Sequence, residues 1–135
     1  MIVTRFDPTQ DLIYVTAKIW SPRGTPQEAT MVFDPGAAMT LISPDFTDAL
    51  GYGAHLGDRR TVNRSAIGSE PGYLMHVARF GALGFELADF SLHVHDLPDG
   101  DELDGLLGLD FLRRFDYEVR SARGEIHTRP ASLDS

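Results

Sequence analysis

Met31-Val32-Phe33-Asp34-Pro35-Gly36-Ala37-Ala38-Met39-Thr40-Leu41-Ile42-Ser43 is an apolar run that delivers one carboxylate onto a Pro-Gly turn and then becomes apolar again. A core strand does not carry Asp unless the carboxylate is paired or at work, and a surface turn is ordinarily flanked by polar residues. Two readings of Asp34 stand side by side. It closes an Asx-type turn by accepting from the turn backbone, or it serves as a catalytic acid–base group. The local sequence leaves both open.

Working outward, residues 11–20 alternate with period two, placing Ile13, Val15, Ala17 and Ile19 on one face of a strand. The turn formers of Ser21-Pro22-Arg23-Gly24-Thr25-Pro26 break it, and residues 29–33 form the strand that enters the Asp34 turn. Ser43-Pro44-Asp45 carries the signs of a helix start, with Ser43 as N-cap and Pro44 at the first helical position; Gly51 stops it after two turns. Residues 59–80 read as a long hairpin turning over Ile67-Gly68-Ser69-Glu70-Pro71-Gly72. Its tip is expected to be exposed, with backbone free to approach a ligand. Residues 85–95 form a further strand, with Phe90, Leu92 and Val94 inward and Ser91, His93 and His95 outward. An acidic loop spans 97–104 and reads as a solvated face, Asp104 included. Gly105 to Phe115 is then a glycine-framed apolar strand passing into a short helix, capped by Asp110. Residues 116–120 and 125–128 pair as a closing hairpin, and residues 130–135 are expected to fray.

Many short strands at regular spacing and two short helices make the fold class all-β and barrel-like. The 135 residues, 42% of them hydrophobic, make one domain, 1–135, with a core over about 11–128. There is no cysteine, which excludes disulfides, thiolate metal sites and cysteine catalysis. A net charge of −8 argues against nucleic acid or an anionic membrane as partner, and the cluster Arg59, Arg60, Arg64 is too small to reverse that. Without a signal-like N-terminus or an apolar span, the expectation is a soluble, cytoplasmic chain.

Two segments together resemble the signatures of the retropepsin-like aspartic proteases. Phe33-Asp34-Pro35-Gly36-Ala37, followed by Met39-Thr40-Leu41-Ile42-Ser43, is similar to that family's active-site loop, apolar-Asp-Thr-Gly-Ala and then an apolar strand. Gly105-Leu106-Leu107-Gly108-Leu109-Asp110-Phe111-Leu112 is similar to its second signature, with Leu106, Leu107 and Gly108 as the apolar-apolar-Gly strand. The order and spacing fit a single-domain enzyme, closer to the bacterial and DNA-damage-inducible members than to the viral ones. The resemblance implies a closed acid-protease-like barrel acting as a homodimer, in which Asp34 is catalytic and pairs with its copy across a two-fold axis. Pro35, Gly36 and Ala37 complete the loop. Ile67, Gly68 and Ser69 fall where the flap that covers an extended polypeptide belongs. No cofactor is needed.

The chain departs from the pattern at Pro35, where the family carries Thr or Ser whose hydroxyl and N–H bond across the axis. Proline has neither donor. Its absence loosens the loop pair by about 1 kcal/mol per bond, or its fixed φ preorganises the loop by another route. Ala38 and Leu109 also replace a charged pair of the viral enzymes. Other constellations carry less. His93-x-His95 with Asp96 is half a metal site or an ordinary alternating strand face, and without a third ligand at a diagnostic spacing no metal is expected. Two functions of different class result: an aspartic endopeptidase acting through paired Asp34 residues, or a weakened domain that binds peptides or dimerises.

Overall fold

The computed structural model describes residues 1–53, 59–65, 68–97 and 103–131. Val15, Ala17 and Ile19, the alternating positions of strand β2 (Tyr14–Trp20), are all buried and line the inside of a barrel. Strand β3 (Pro26–Phe33) pairs antiparallel with β2 along its whole length. Strands β4 (Leu41–Ile42), β5 (Arg59–Ser65), β6 (Gly68–Ala82), β7 (Phe85–Val94) and β8 (Gly105–Leu107) complete one sheet in the order β2-β3-β8-β4-β7-β6-β5. A second contact of β2, through Lys18↔Gly81 and Ile19↔Phe80, closes six of these strands into a ring. β5 lies outside the ring and pairs along β6.

What positions the site is the placement of β8. It runs parallel to β3 and antiparallel to β4, so Gly105–Leu107 lies between the strand entering the Asp34 turn and the strand leaving it. A Cβ at Gly105 would strike the carbonyl oxygen of Leu41, so only glycine lets the two strands approach this closely. Helix α1 (Pro44–Leu50) starts as its sequence dictates: the Ser43 side chain accepts from Phe46 N–H, and Gly51 ends it with φ +108°. Helix α2 (Leu109–Leu112) is a single turn anchored by buried Phe111, whose ring meets Phe80, Phe90 and Phe115 edge-on. The chain closes with β9 (Phe115–Arg120) and β10 (Glu125–Pro130), a hairpin as expected.

Strand β1 (Ile2–Arg5) was not read from the sequence; it adds to β10 and completes a separate three-stranded sheet, β1-β10-β9. The 59–80 hairpin does not turn over 67–72: pairing runs on from Gly72↔Thr61 to Gly68↔Ser65, because a strand ladder satisfies the backbone groups that a wide loop would leave to solvent. The N-cap of α2 is Gly108 rather than Asp110, which lies in the first turn. His93 and His95 do not face solvent. They are 5% and 6% exposed, and they pack beside Gly72, where a Cβ would come 3.3 Å from His93 Nε2 and 3.1 Å from His95 Cβ. Of the expected frayed end, Pro130 is still in β10 and residues 132–135 lie outside the described residues.

Candidate active site

Asp34 follows the last residue of β3 and is half-buried. Its own N–H donates to Leu107 O at 2.9 Å, and the preceding Phe33 N–H donates to Ile13 O at 2.8 Å. The carboxylate is thus delivered by a backbone held from both sides. Beyond it the chain folds back in a four-residue turn, with Ala37 N–H donating to Asp34 O at 3.1 Å. Pro35 occupies the second turn position, where its fixed φ is pre-set for this geometry and its missing N–H is not called on. Gly36 N–H donates to Asp34 Oδ1 at 3.0 Å. The Asx-type turn is therefore present, and it orients the carboxylate. A Cβ on Gly36 would sit 3.2 Å from Asp34 Oδ1 and crowd it.

The structure brings the two signature segments into direct contact. Leu107 is buried, and Leu106 pairs with Val32 on one side and Leu41 on the other. Gly108 passes so close to the loop that a Cβ would lie 2.5 Å from Met39 O and 2.9 Å from Ala37 O. Leu109 N–H donates to Ala37 O at 2.8 Å, and Asp110 N–H to Ala38 O at 3.2 Å.

Sequence reasoning missed two side chains here. Thr40 is wholly buried; its hydroxyl accepts from Gly108 N–H at 3.1 Å and donates to Asp110 Oδ1 at 2.6 Å. A Thr inside the apolar run 39–42 and an Asp inside the apolar run 106–112 are both polar intruders, and that shared oddity was the available signal. Asp104, read as solvated loop charge, instead takes Thr30 N–H on Oδ2 at 2.8 Å, while its own N–H donates to Thr30 O at 2.7 Å. It thereby extends the β3–β8 ladder by one residue.

Of the expected flap residues, Gly68 and Ser69 open β6 opposite Ser65 and Arg64, and Ile67 lies outside the described residues. Most of the acidic loop, residues 98–102, also lies outside them. The rings of His93 and His95 meet at 5.4 Å. Among the described residues no cluster of three or more His, Asp or Glu side chains stands ready to hold a metal. Among the same residues no helix is long and apolar enough to cross a membrane.

The family model described as aspartyl protease matches residues 15–111, well over half of the chain. A comparison with curated proteins gives no match. Among solved structures, the chain is similar to a retropepsin-like aspartic protease from Rickettsia conorii, with a TM-score of 0.70 and 20% identity over 98% of this chain and 92% of that one. It is also similar to the retroviral protease-like domain of Ddi1 from Leishmania major, with a TM-score of 0.61 and 16% identity over 93% of this chain and 99% of that one. At such identities the likeness is one of fold: a closed β-barrel with two short helices.

Proposed function

This chain belongs to the aspartyl protease family, and on that premise we propose that it is an endopeptidase whose Asp34 pairs with the Asp34 of a second copy. The observation that carries the reading is the delivery of Asp34. One carboxylate stands on a turn whose backbone is fastened to both β8 and the segment before β2, with Oδ1 oriented by Gly36 N–H. A surface Asx turn needs no such double anchorage.

One carboxylate is half of the chemistry. Two brought together cannot both ionise easily and share one proton, behaviour for which the aspartic proteases are the reference case. The ionised member takes a proton from a water as its oxygen bonds to the scissile carbonyl carbon, and the protonated member gives its proton to the carbonyl oxygen. Collapse of the resulting diol breaks the C–N bond: one diol hydroxyl returns its proton to the carboxylate that protonated the carbonyl, and the amine nitrogen leaves with the proton the other carboxyl took from the water. The substrate is an extended polypeptide paired as an added strand. Gly36 and Ala37 border it on one side, and Gly68 and Ser69, at the start of β6, on the other. Pro35 is compatible with this role, because the turn uses its ring and has no need of its N–H.

The test is cleavage of a denatured protein or mixed-peptide library from pH 4 to 7, with solution mass measured alongside. Cleavage by a dimer, blocked by a statine-type transition-state mimic and reduced at least about a thousandfold in Asp34→Asn, is the expected result. A chain that stays monomeric with peptide present and cleaves nothing overturns it. Activity that appears only in Pro35→Thr would instead make the natural domain a peptide binder.

A further inference from the structure

We propose that Thr40 and Asp110 are positioning residues for the Asp34 carboxylate, acting as a side-chain latch between the active loop and α2. The inference rests on the peptidase reading of Asp34 and names what holds that site in place.

The two limbs of the loop are held differently. The incoming limb, Phe33 and Asp34, is fixed by main-chain bonds to Ile13 O and Leu107 O. The returning limb, residues 37–40, is fastened to residues 108–110 by two main-chain bonds, from Leu109 N–H to Ala37 O and from Asp110 N–H to Ala38 O, and to β7 by His93 N–H donating to Thr40 O at 3.0 Å; the Thr40 hydroxyl adds the side-chain hold. That hydroxyl uses both of its capacities, accepting Gly108 N–H at 3.1 Å and donating to Asp110 Oδ1 at 2.6 Å. Asp110 Oδ1 in turn accepts Phe111 N–H at 2.9 Å. Phe111 is wholly buried against Phe80 and Phe90, so α2 is tied to the barrel interior. The latch therefore runs from the core, through Phe111 and Asp110, to Thr40, the residue at which the loop becomes β4.

Two features separate this from a buried hydroxyl merely finding partners. Thr40 joins segments distant in sequence, with Gly108 and Asp110 lying 68 and 70 residues away. The charge-assisted bond it donates is also shorter than an ordinary neutral one. Catalytic geometry responds steeply to small displacements, so slack in the returning limb is expected in turnover before it is expected in substrate binding.

The test compares Thr40→Val with Thr40→Ser, and Asp110→Ala with Asp110→Asn. Each is assayed well below its Tm and at the wild-type assembly state. Thr40→Val and Asp110→Ala should lower kcat by about 10- to 100-fold while KM stays within about threefold. Thr40→Ser and Asp110→Asn keep the hydrogen bond and should recover to within about fivefold of wild type. The Thr40→Val/Asp110→Ala double variant should be no slower than the worse single, since both remove one latch. Amide exchange supplies a readout independent of cleavage: Gly36 and Ala37 should exchange about tenfold faster in Thr40→Val, but not in Thr40→Ser, with core amides of β7 unchanged. Half-buried Asp110 provides the pair of variants to use should Thr40→Val not fold. Wild-type kcat in Thr40→Val or Asp110→Ala, or equal loss in the conservative variants, overturns the latch. Absence of cleavage by the wild type overturns the peptidase reading alone, and the exchange measurement then decides the latch.

Discussion

Tyr52 holds the barrel seam at a point where its strands stop pairing. Direct β2–β6 pairing covers Lys18↔Gly81 and Ile19↔Phe80. One step further along, the buried Tyr52 hydroxyl donates to Trp20 O at 2.7 Å and accepts Ala78 N–H at 3.0 Å. Removing that oxygen leaves a donor and an acceptor without their bridge. Tyr52→Phe should therefore lower stability by roughly 1–3 kcal/mol without altering the fold, read by denaturant unfolding with an unchanged m value. At this scale the sequence was legible wherever the requirement was local. Asp34 beside Pro-Gly, Ser43 before Pro44, and Gly51 at a helix end each announce their geometry within a few residues. Tyr52 and Thr40 do not, because their partners lie elsewhere in the chain: 26 and 32 residues away for Tyr52, about 70 for Thr40.

Strand β7 shows the same limit for an element. Its inner face, Phe90, Leu92 and Val94, follows from alternation and is buried. Alternation says which residues share a face; it does not say whether the other face is covered, and His93 and His95 are buried by neighbours that the strand's own sequence cannot reveal. That burial has a pH signature. Desolvation first, and then the charge of neighbouring His95, lower the His93 imidazole below its ordinary value of 6.5. In the window between the folded value and 6.5 the unfolded chain binds more protons, so stability rises with pH there. The contribution is complete above about 6.5 and is lost as pH falls toward the folded value. Thermal melts stepped from pH 7.5 down to 5 should show Tm falling through this window, and the fall should be shallower in His93→Gln. The β5–β6 hairpin was also legible as an element, whereas its turn was placed too wide. Gly72 and Pro71 look like turn residues but serve as strand, Gly72 because a side chain there would strike Val94 O.

Across the whole molecule, the barrel was readable from strand spacing, and so was the β9–β10 hairpin of the small sheet; its third strand, β1, was not. Four residues, Ile2–Arg5, are too few to show a period, and their role depends on a partner at the far end of the chain. β1 covers one edge of β10 and seats Ile2 against Gly84, where a Cβ would meet the Ile2 Cγ2 atom at 2.8 Å. Deleting residues 1–5 should lower Tm by about 5 °C or more and leave a new open edge that favours association between chains, seen as concentration-dependent light scattering. The pairing also has a meaning in time. Ile2 and Thr128 stand opposite each other although they lie 126 positions apart in the chain, so β1 precedes every other described strand yet must wait for β10. The barrel ring can close once Leu107 is available, whereas the small sheet can form only after β10 has followed. During that interval β1 is an unattached strand, the kind of segment that recruits wrong partners as a chain folds. At four residues it offers such a partner only a short edge.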